Sequence, residues 1–148
     1  MSSDTTLRIE RTFQAPAPKV FDAFTSEEVM RRWWHAERDW ETSAAEVDLR
    51  VGGAVRVVMR DPDRDVEYGG GGTYTEIDPP RRLAFTWLWD DDTTRTRMLI
   101  EIDFEQTDGG TVVRFPHSGL WDEDAVRSHD GGWNRAFDNL EAALAGGG

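Results

Sequence analysis

The chain switches between two hydrophobic periods. From Thr6 to Phe13 the apolar residues Leu7, Ile9 and Phe13 are separated by polar Arg8, Glu10 and Thr12, the step of two expected of a strand. Pro16 and Pro18 stop that strand. Val20, Phe21 and Phe24 then share a helical face, which predicts a short helix over Pro18–Phe24 with proline in its opening turn. Thr25 with Glu28 three residues later has the form of a capping box, and Val29, Met30, Trp33 and Trp34 carry a second short helix to about His35.

Period two returns from Trp40 to Val51, with Ala45, Val47, Leu49 and Val51 on one face. Gly52-Gly53 makes a turn, and Val55, Val57 and Met59 alternate with Arg56 and Arg60, so the pair reads as an antiparallel hairpin. Asp61 to Asp65 is its outer loop. The glycines Gly69 to Gly72 lead into a strand over Thr73–Ile77, which Pro79-Pro80 closes because proline cannot continue a ladder. Leu83, Phe85, Trp87 and Trp89 form one face of the next strand, ending in an acidic hairpin tip at Asp90-Asp91-Asp92. Met98, Ile100, Ile102 and Phe104 alternate in a long half-buried strand; Asp108-Gly109-Gly110 turns the chain, and Val113, Phe115 and His117 continue the inward parity.

The last third changes period again. Val126, Trp133, Phe137, Leu140 and Leu144 recur at helical spacing with His129 filling the gap, which predicts a long helix across most of Asp122–Ala145. Gly131-Gly132 conflicts with it, since each glycine costs about 1 kcal/mol against alanine. Either the helix begins properly near Gly132, or the glycines allow close approach to the sheet or to a ligand.

The order is strand, two short helices, about six antiparallel strands and one long helix. A single curved sheet of about six or seven strands wrapped around the closing helix satisfies it, an α+β arrangement. At 148 residues the chain is the size of one domain, expected over 1–148 with 1–5 and 146–148 frayed. No apolar run approaches the roughly 18 residues of a membrane span, and Met1 to Glu10 is too polar for a secretory signal, so a cytoplasmic location and no membrane partner are expected. The net charge of −12 argues against nucleic acid as a partner, and the absence of cysteine excludes disulfides, thiolate metal sites and cysteine nucleophiles. Seven tryptophans are the compositional oddity: rings that large fill a core, line a cavity or make an interface.

Several motifs that suggest chemistry fail on inspection. Ser118 beside His117 cannot form a nucleophile pair, because adjacent strand residues point to opposite faces. Asp61, Asp63 and Asp65 alternate like a calcium loop, but Val66 and Gly72 stand where such a loop needs Gly and Glu. The glycine run precedes a strand rather than a helix and lacks a GK[ST] ending, so it is no phosphate cradle; flexibility at a cavity mouth or a bulge explains it. No metal and no cofactor are expected. His117 and His129 remain as weak acid–base candidates, one at the end of an inward-facing strand and the other on the helix stripe.

Arg32-Trp33-Trp34, Val47-Asp48-Leu49-Arg50-Val51-Gly52-Gly53, Tyr74 to Pro80 with Arg82 to Trp87, His117-Ser118-Gly119 and Gly132-Trp133, in that order, resemble the activator of heat-shock-protein-90 ATPase homologue-like family of the SRPBCC superfamily, also called START-like or Bet v 1-like. The likeness runs from about Thr6 to Leu144. It implies the helix-grip fold with a cavity between sheet and helix that often takes apolar or aromatic small molecules.

The leading expectation is therefore a protein that binds a small hydrophobic or aromatic molecule. Strand parity and the helix stripe nominate Trp87, Met98, Ile100, Phe115, His117, His129 and Trp133 as its lining, and Trp34, Met59, Tyr74 and Phe137 join them as apolar or aromatic positions brought to the same interior. A second reading is an enzyme using His117 or His129 as acid or base. A third is an interaction module, a chaperone cofactor or a homodimer, in which exposed aromatics make the contact.

Overall fold

Every stretch of period two in the sequence contributes a strand. The computed structural model describes residues 6–37, 39–90 and 98–146, so Asp91 and Asp92 of the acidic tip and, of the expected frayed ends at 1–5 and 146–148, all but Gly146 lie outside the described residues; Gly146 is the last residue of the closing helix. The elements are β1 (Leu7–Phe13), α1 (Ala17–Thr25), α2 (Glu27–Trp33), β2 (Glu41–Val47), β3 (Ala54–Asp61), β4 (Val66–Asp78), β5 (Arg82–Trp89), β6 (Met98–Thr107), β7 (Gly110–Ser118) and α3 (Glu123–Gly146). The strands form one seven-stranded antiparallel sheet in the order β1-β7-β6-β5-β4-β3-β2. The first two strands in the chain are thus its opposite edges, and α1 and α2 must cross from one to the other. This is the expected helix-grip fold: a curled half-barrel sheet closed by α3.

The joint between α1 and α2 corrects the expected capping box. Thr25 is the last residue of α1 and its hydroxyl donates to the Phe21 carbonyl at 3.1 Å, so it is not available as a cap. Ser26, with extended backbone, is the N-cap of α2 and its Oγ accepts from the Val29 N–H. Helix α2 also stops at Trp33, short of His35, so Trp34, His35 and Ala36 belong to an irregular connection toward β2.

The strand expected to run to Val51 ends at Val47. Val47 pairs with Val55, so the chain must reverse within 48–53, where the Arg50 N–H donates to the Asp48 carbonyl and Gly52 adopts φ 89°. Leu49 and Val51 are consequently exposed. The glycine run is neither a bulge nor a loop. Gly69 to Gly72 are ladder residues of β4 opposite Val58 to Val55, and the bulge of that strand lies further on, between Tyr74 and Glu76. Glycine is needed at least at Gly70, where a Cβ would sit 2.8–2.9 Å from the Trp87 indole. In the turn after β3, Asp61 Oδ1 accepts from the backbone N–H groups of Asp63 and Arg64, and Asp65 pairs with Arg60, so these carboxylates are engaged locally.

Inward parity is kept on β5, β6 and β7: Leu83, Phe85, Trp87, Met98, Ile100, Ile102, Phe104, Val113, Phe115 and His117 are all buried. Helix α3 lays Ala125, Trp133, Ala136, Phe137, Leu140 and Leu144 on them and runs unbroken through Gly131-Gly132. Asp122 caps its start by accepting from the Ala125 N–H at 2.7 Å, and Lys19 of α1 donates to the Leu144 carbonyl at its other end. Among the described residues no helix is long and apolar enough to cross a membrane.

Candidate functional site

The grip of α3 on the sheet is tight at one end and loose at the other. At the tight end Phe137 meets Phe13 edge-on at 5.9 Å and Phe115 at 5.2 Å. Toward the start of α3, where the ends of β5 and β7 and the connection after α2 converge, a partly open cavity of about 290 Å³ remains. A dry engineered cavity of about 150 Å³ accepts benzene, so this space suits a ligand of about two fused rings.

Six of the expected lining residues border the cavity: Trp34, Met59, Trp87, His117, His129 and Trp133. The other five, Tyr74, Met98, Ile100, Phe115 and Phe137, face inward but stand behind the wall in the packed core. The reason is ring packing. Trp133 lies 4.6 Å from Phe115, Tyr74 packs edge-on against Phe85, and Met98 sits behind His117 with its sulfur 3.1 Å from Nε2. Tyr74 OH is buried with no partner among the described residues, and burial pushes its phenol well above the usual tyrosine range.

Of the remaining border, only Trp89 lies on a face that periodicity marks, that of β5. His35, Ala36 and Trp40 belong to the irregular segment after α2, Tyr68 to β4 and Trp89 to the end of β5, while Ser128, Gly132 and Ala136 are the small positions of α3 beside His129 and Trp133. Trp40 stacks flat on Tyr68 at 5.1 Å, and Trp34 on Trp87 at 5.8 Å. Five of the seven tryptophans therefore wall one space. The usable signal was composition: an excess of tryptophan spread over every part of the chain, together with all three histidines, which also converge here.

Gly132 has a definite role. A Cβ there would come within 3.3 Å of the Ala36 Cβ, so the glycine lets the segment after α2 lie directly on α3. That segment is then fastened: Arg135 Nε donates to the Ala36 carbonyl at 2.9 Å, its guanidinium pairs with Glu37, and Asn139 Nδ2 donates to the His35 carbonyl. Of the two explanations open for Gly131-Gly132, close approach holds for Gly132, toward a loop rather than toward the sheet.

The hydrogen bonds assign the state of each imidazole. In His117, Nδ1 accepts from the Trp133 indole N–H at 3.1 Å, so the neutral ring carries its proton on Nε2, against Met98. In His129, Nδ1 lies 2.8 Å from the Ala125 carbonyl and must donate, while Nε2 accepts from the Trp89 indole N–H at 3.0 Å. Burial, aided by the nearby His129, lowers the His117 pKa to about 3, and burial lowers that of His129 against the opposing Ala125 hydrogen bond. Both rings are neutral and their lone pairs are spent on indoles. Neither offers a free nitrogen to a metal or a substrate proton.

His35 differs. The Thr42 hydroxyl donates to the Trp34 carbonyl at 2.9 Å, so its oxygen receives the His35 Nδ1–H at 3.0 Å, and Nε2 is left as an acceptor. Burial lowers this pKa as well. Among the described residues no Asp, Glu, Arg or Lys borders the cavity, although 31% of the chain is charged. Nor is any group of three or more described His, Cys, Asp or Glu residues placed to hold a metal ion. The arrangement can enclose an uncharged, flat, apolar body and offer it very few polar contacts.

Comparison with known proteins agrees with this architecture. A crystal structure of a protein from Chromobacterium violaceum superposes with a TM-score of 0.88 over 95% of this chain and 96% of that one at 24% identity, which speaks to the fold alone. The AHSA1 protein of Silicibacter pomeroyi matches at 26% identity, TM-score 0.82, covering 95% of this chain and 97% of its own. An AHSA1-like protein of Aeromonas hydrophila, solved by NMR, matches at 26% identity and TM-score 0.76, with 93% of each chain covered. A search of the curated proteins finds no match. The family model described as activator of Hsp90 ATPase homolog 1-like protein matches residues 14–145, and the chain belongs to that family.

Proposed function

We propose that this protein binds a small, uncharged hydrophobic or aromatic molecule in the cavity between α3 and the sheet, without a resident cofactor, as a cytoplasmic carrier or sensor of that molecule. The observation that carries the reading is the cavity of about 290 Å³ bordered by five tryptophans and, among the described residues, no charged side chain. Aromatic pairs with offset or edge geometry contribute about 0.5–1.5 kcal/mol beyond area burial, so a fused aromatic ligand sandwiched by these rings is the occupant they suit.

The test uses naphthalene and its derivatives as probes. Titration is expected to quench intrinsic tryptophan fluorescence saturably, because five of the seven emitters border the space. Trp133→Leu should weaken binding at least tenfold. Absence of any saturable change across the probes in the wild type contradicts the proposal. The enzyme reading has less support, since the lone pairs of His117 and His129 are both committed to indole donors. An interaction through exposed aromatics would have to use Trp121, which is 48% exposed but packs edge-on against His129 at the cavity's edge.

A further inference from the structure

We infer that His35 Nε2 is the polar anchor of the cavity, and that it selects ligands which bring a hydrogen-bond donor, such as a phenol or an indole N–H, over carboxylates and over ethers of the same shape. This rests on the binding reading above and narrows its ligand class.

Three observations support it. The first is the count of lone pairs. Three imidazoles border the cavity; His117 and His129 each have both ring nitrogens engaged, whereas His35 Nε2 has no partner among the described residues and is not one of the fully sealed polar atoms. The second is that its tautomer is imposed. The Thr42 hydroxyl has one proton, which goes to the Trp34 carbonyl, so only His35 can supply the hydrogen between Nδ1 and Oγ1. A ring held in that tautomer presents an acceptor at Nε2 and is poor at meeting another acceptor. The third is rigidity. The His35 carbonyl, the Ala36 carbonyl and the Glu37 carboxylate are tied to Asn139 and Arg135 of α3, and Gly132 lets Ala36 rest on the helix, so the imidazole is presented by a fixed segment although it lies outside any helix or strand. A fixed acceptor in a mainly apolar site discriminates well, because a ligand lacking the donor leaves it unpaired.

Charge excludes the opposite class. A carboxylate would enter a chain of net charge −12 and find no Arg or Lys among the described residues of the cavity wall. The other polar side chains at the border are of a different kind: Ser128 is exposed and Tyr68 only half-buried, so water satisfies them at the rim, and the indole N–H groups of Trp34, Trp40 and Trp87 can only donate, whereas His35 is 8% exposed and presents an acceptor.

The experiment compares 2-naphthol, 2-methoxynaphthalene and 2-naphthoate by tryptophan quenching and calorimetry on the intact chain. Wild type is expected to prefer 2-naphthol to 2-methoxynaphthalene by about tenfold or more, the size of one well-made buried hydrogen bond, and to bind 2-naphthoate weakest. In His35→Phe the preference should fall to within about threefold while 2-methoxynaphthalene still binds. Thr42→Val keeps the imidazole but frees its tautomer, and should also lower the ratio; it carries the test if His35→Phe fails to fold. Equal affinities in wild type, tightest binding by 2-naphthoate, or a ratio that survives in both variants overturns the assignment of His35 while leaving cavity binding intact. No binding by any probe overturns cavity binding itself, and the anchor with it.

Discussion

His117 holds its place only as a neutral ring. It is 1% exposed and receives the Trp133 indole N–H, and its pKa is lowered from 6.5 to about 3 by burial. In the unfolded chain the same group takes up a proton near pH 6.5, so between pH 6.5 and about 3 the unfolded state binds more protons than the native one. Stability is therefore complete above pH 6.5 and is lost as the pH falls through that window, by about 1.4 kcal/mol per pH unit for this one group. His35 and His129, shifted in the same direction by burial, add to the loss. Urea unfolding at pH 7.5 and pH 5.0 should differ by at least about 2 kcal/mol, and His117→Phe should reduce the difference. Asp90 is shifted the other way, held below the usual carboxylate range by its hydrogen bond with Arg56, so its contribution fades only in stronger acid than this comparison uses. An equal unfolding free energy at the two pH values would mean that the histidines are not sealed as described.

At the scale of elements, the two glycines in the middle of α3 separate propensity from packing. At Gly131 a Cβ would meet only the far end of the Arg135 side chain, at 3.4 Å, so Gly131→Ala should stabilise the protein by up to about 1 kcal/mol, read as a shift of the urea midpoint at constant slope. Gly132→Ala gains the same propensity but presses on Ala36, and should return less of it while shifting the His35 segment. Strand β4 is the stricter case. Gly70→Ala would drive a methyl into the Trp87 indole, a wall of both core and cavity, and should cost about 1–3 kcal/mol. These positions also mark where reading the sequence stopped. Alternation on β5 to β7 and the stripe of α3 located the concave face correctly, because parity is a local backbone property. Parity does not say which inward residue borders empty space: Phe115 and Trp87 both face inward, yet Trp133 lies on one and the cavity on the other. His35 was missed for a related reason. It sits in an irregular segment with no period, and its importance comes from one hydroxyl proton of Thr42 and from Gly132, a glycine of a helix far along the chain that meets the neighbouring Ala36.

At the scale of the whole molecule, α3 does two jobs in succession along one face. Its later turns, from Phe137 through Leu140 to Leu144, are fully packed against the sheet and against α1, and they hold the grip closed. Its earlier turns, from Ser128 to Ala136, face the cavity and leave room. Neighbouring residues at the boundary should therefore respond in opposite ways. Phe137 is fully buried between Phe13 and Phe115, and Phe137→Ala should cost about 3–5 kcal/mol, seen in urea or thermal unfolding. Ala136 is also buried, but it borders the cavity, so Ala136→Leu extends a side chain into existing space. It should change stability by no more than about 1 kcal/mol, because filling a void restores dispersion contacts that an empty wall lacks. The same substitution should weaken naphthalene binding at least tenfold by occupying the volume the ligand needs. A loss of more than about 2 kcal/mol in Ala136→Leu would be the signature of overpacking, and would mean that the space beside α3 is already filled. Stability kept and binding lost, in a residue adjacent to one where stability itself is lost, would separate the part of the helix that makes the fold from the part that makes the site.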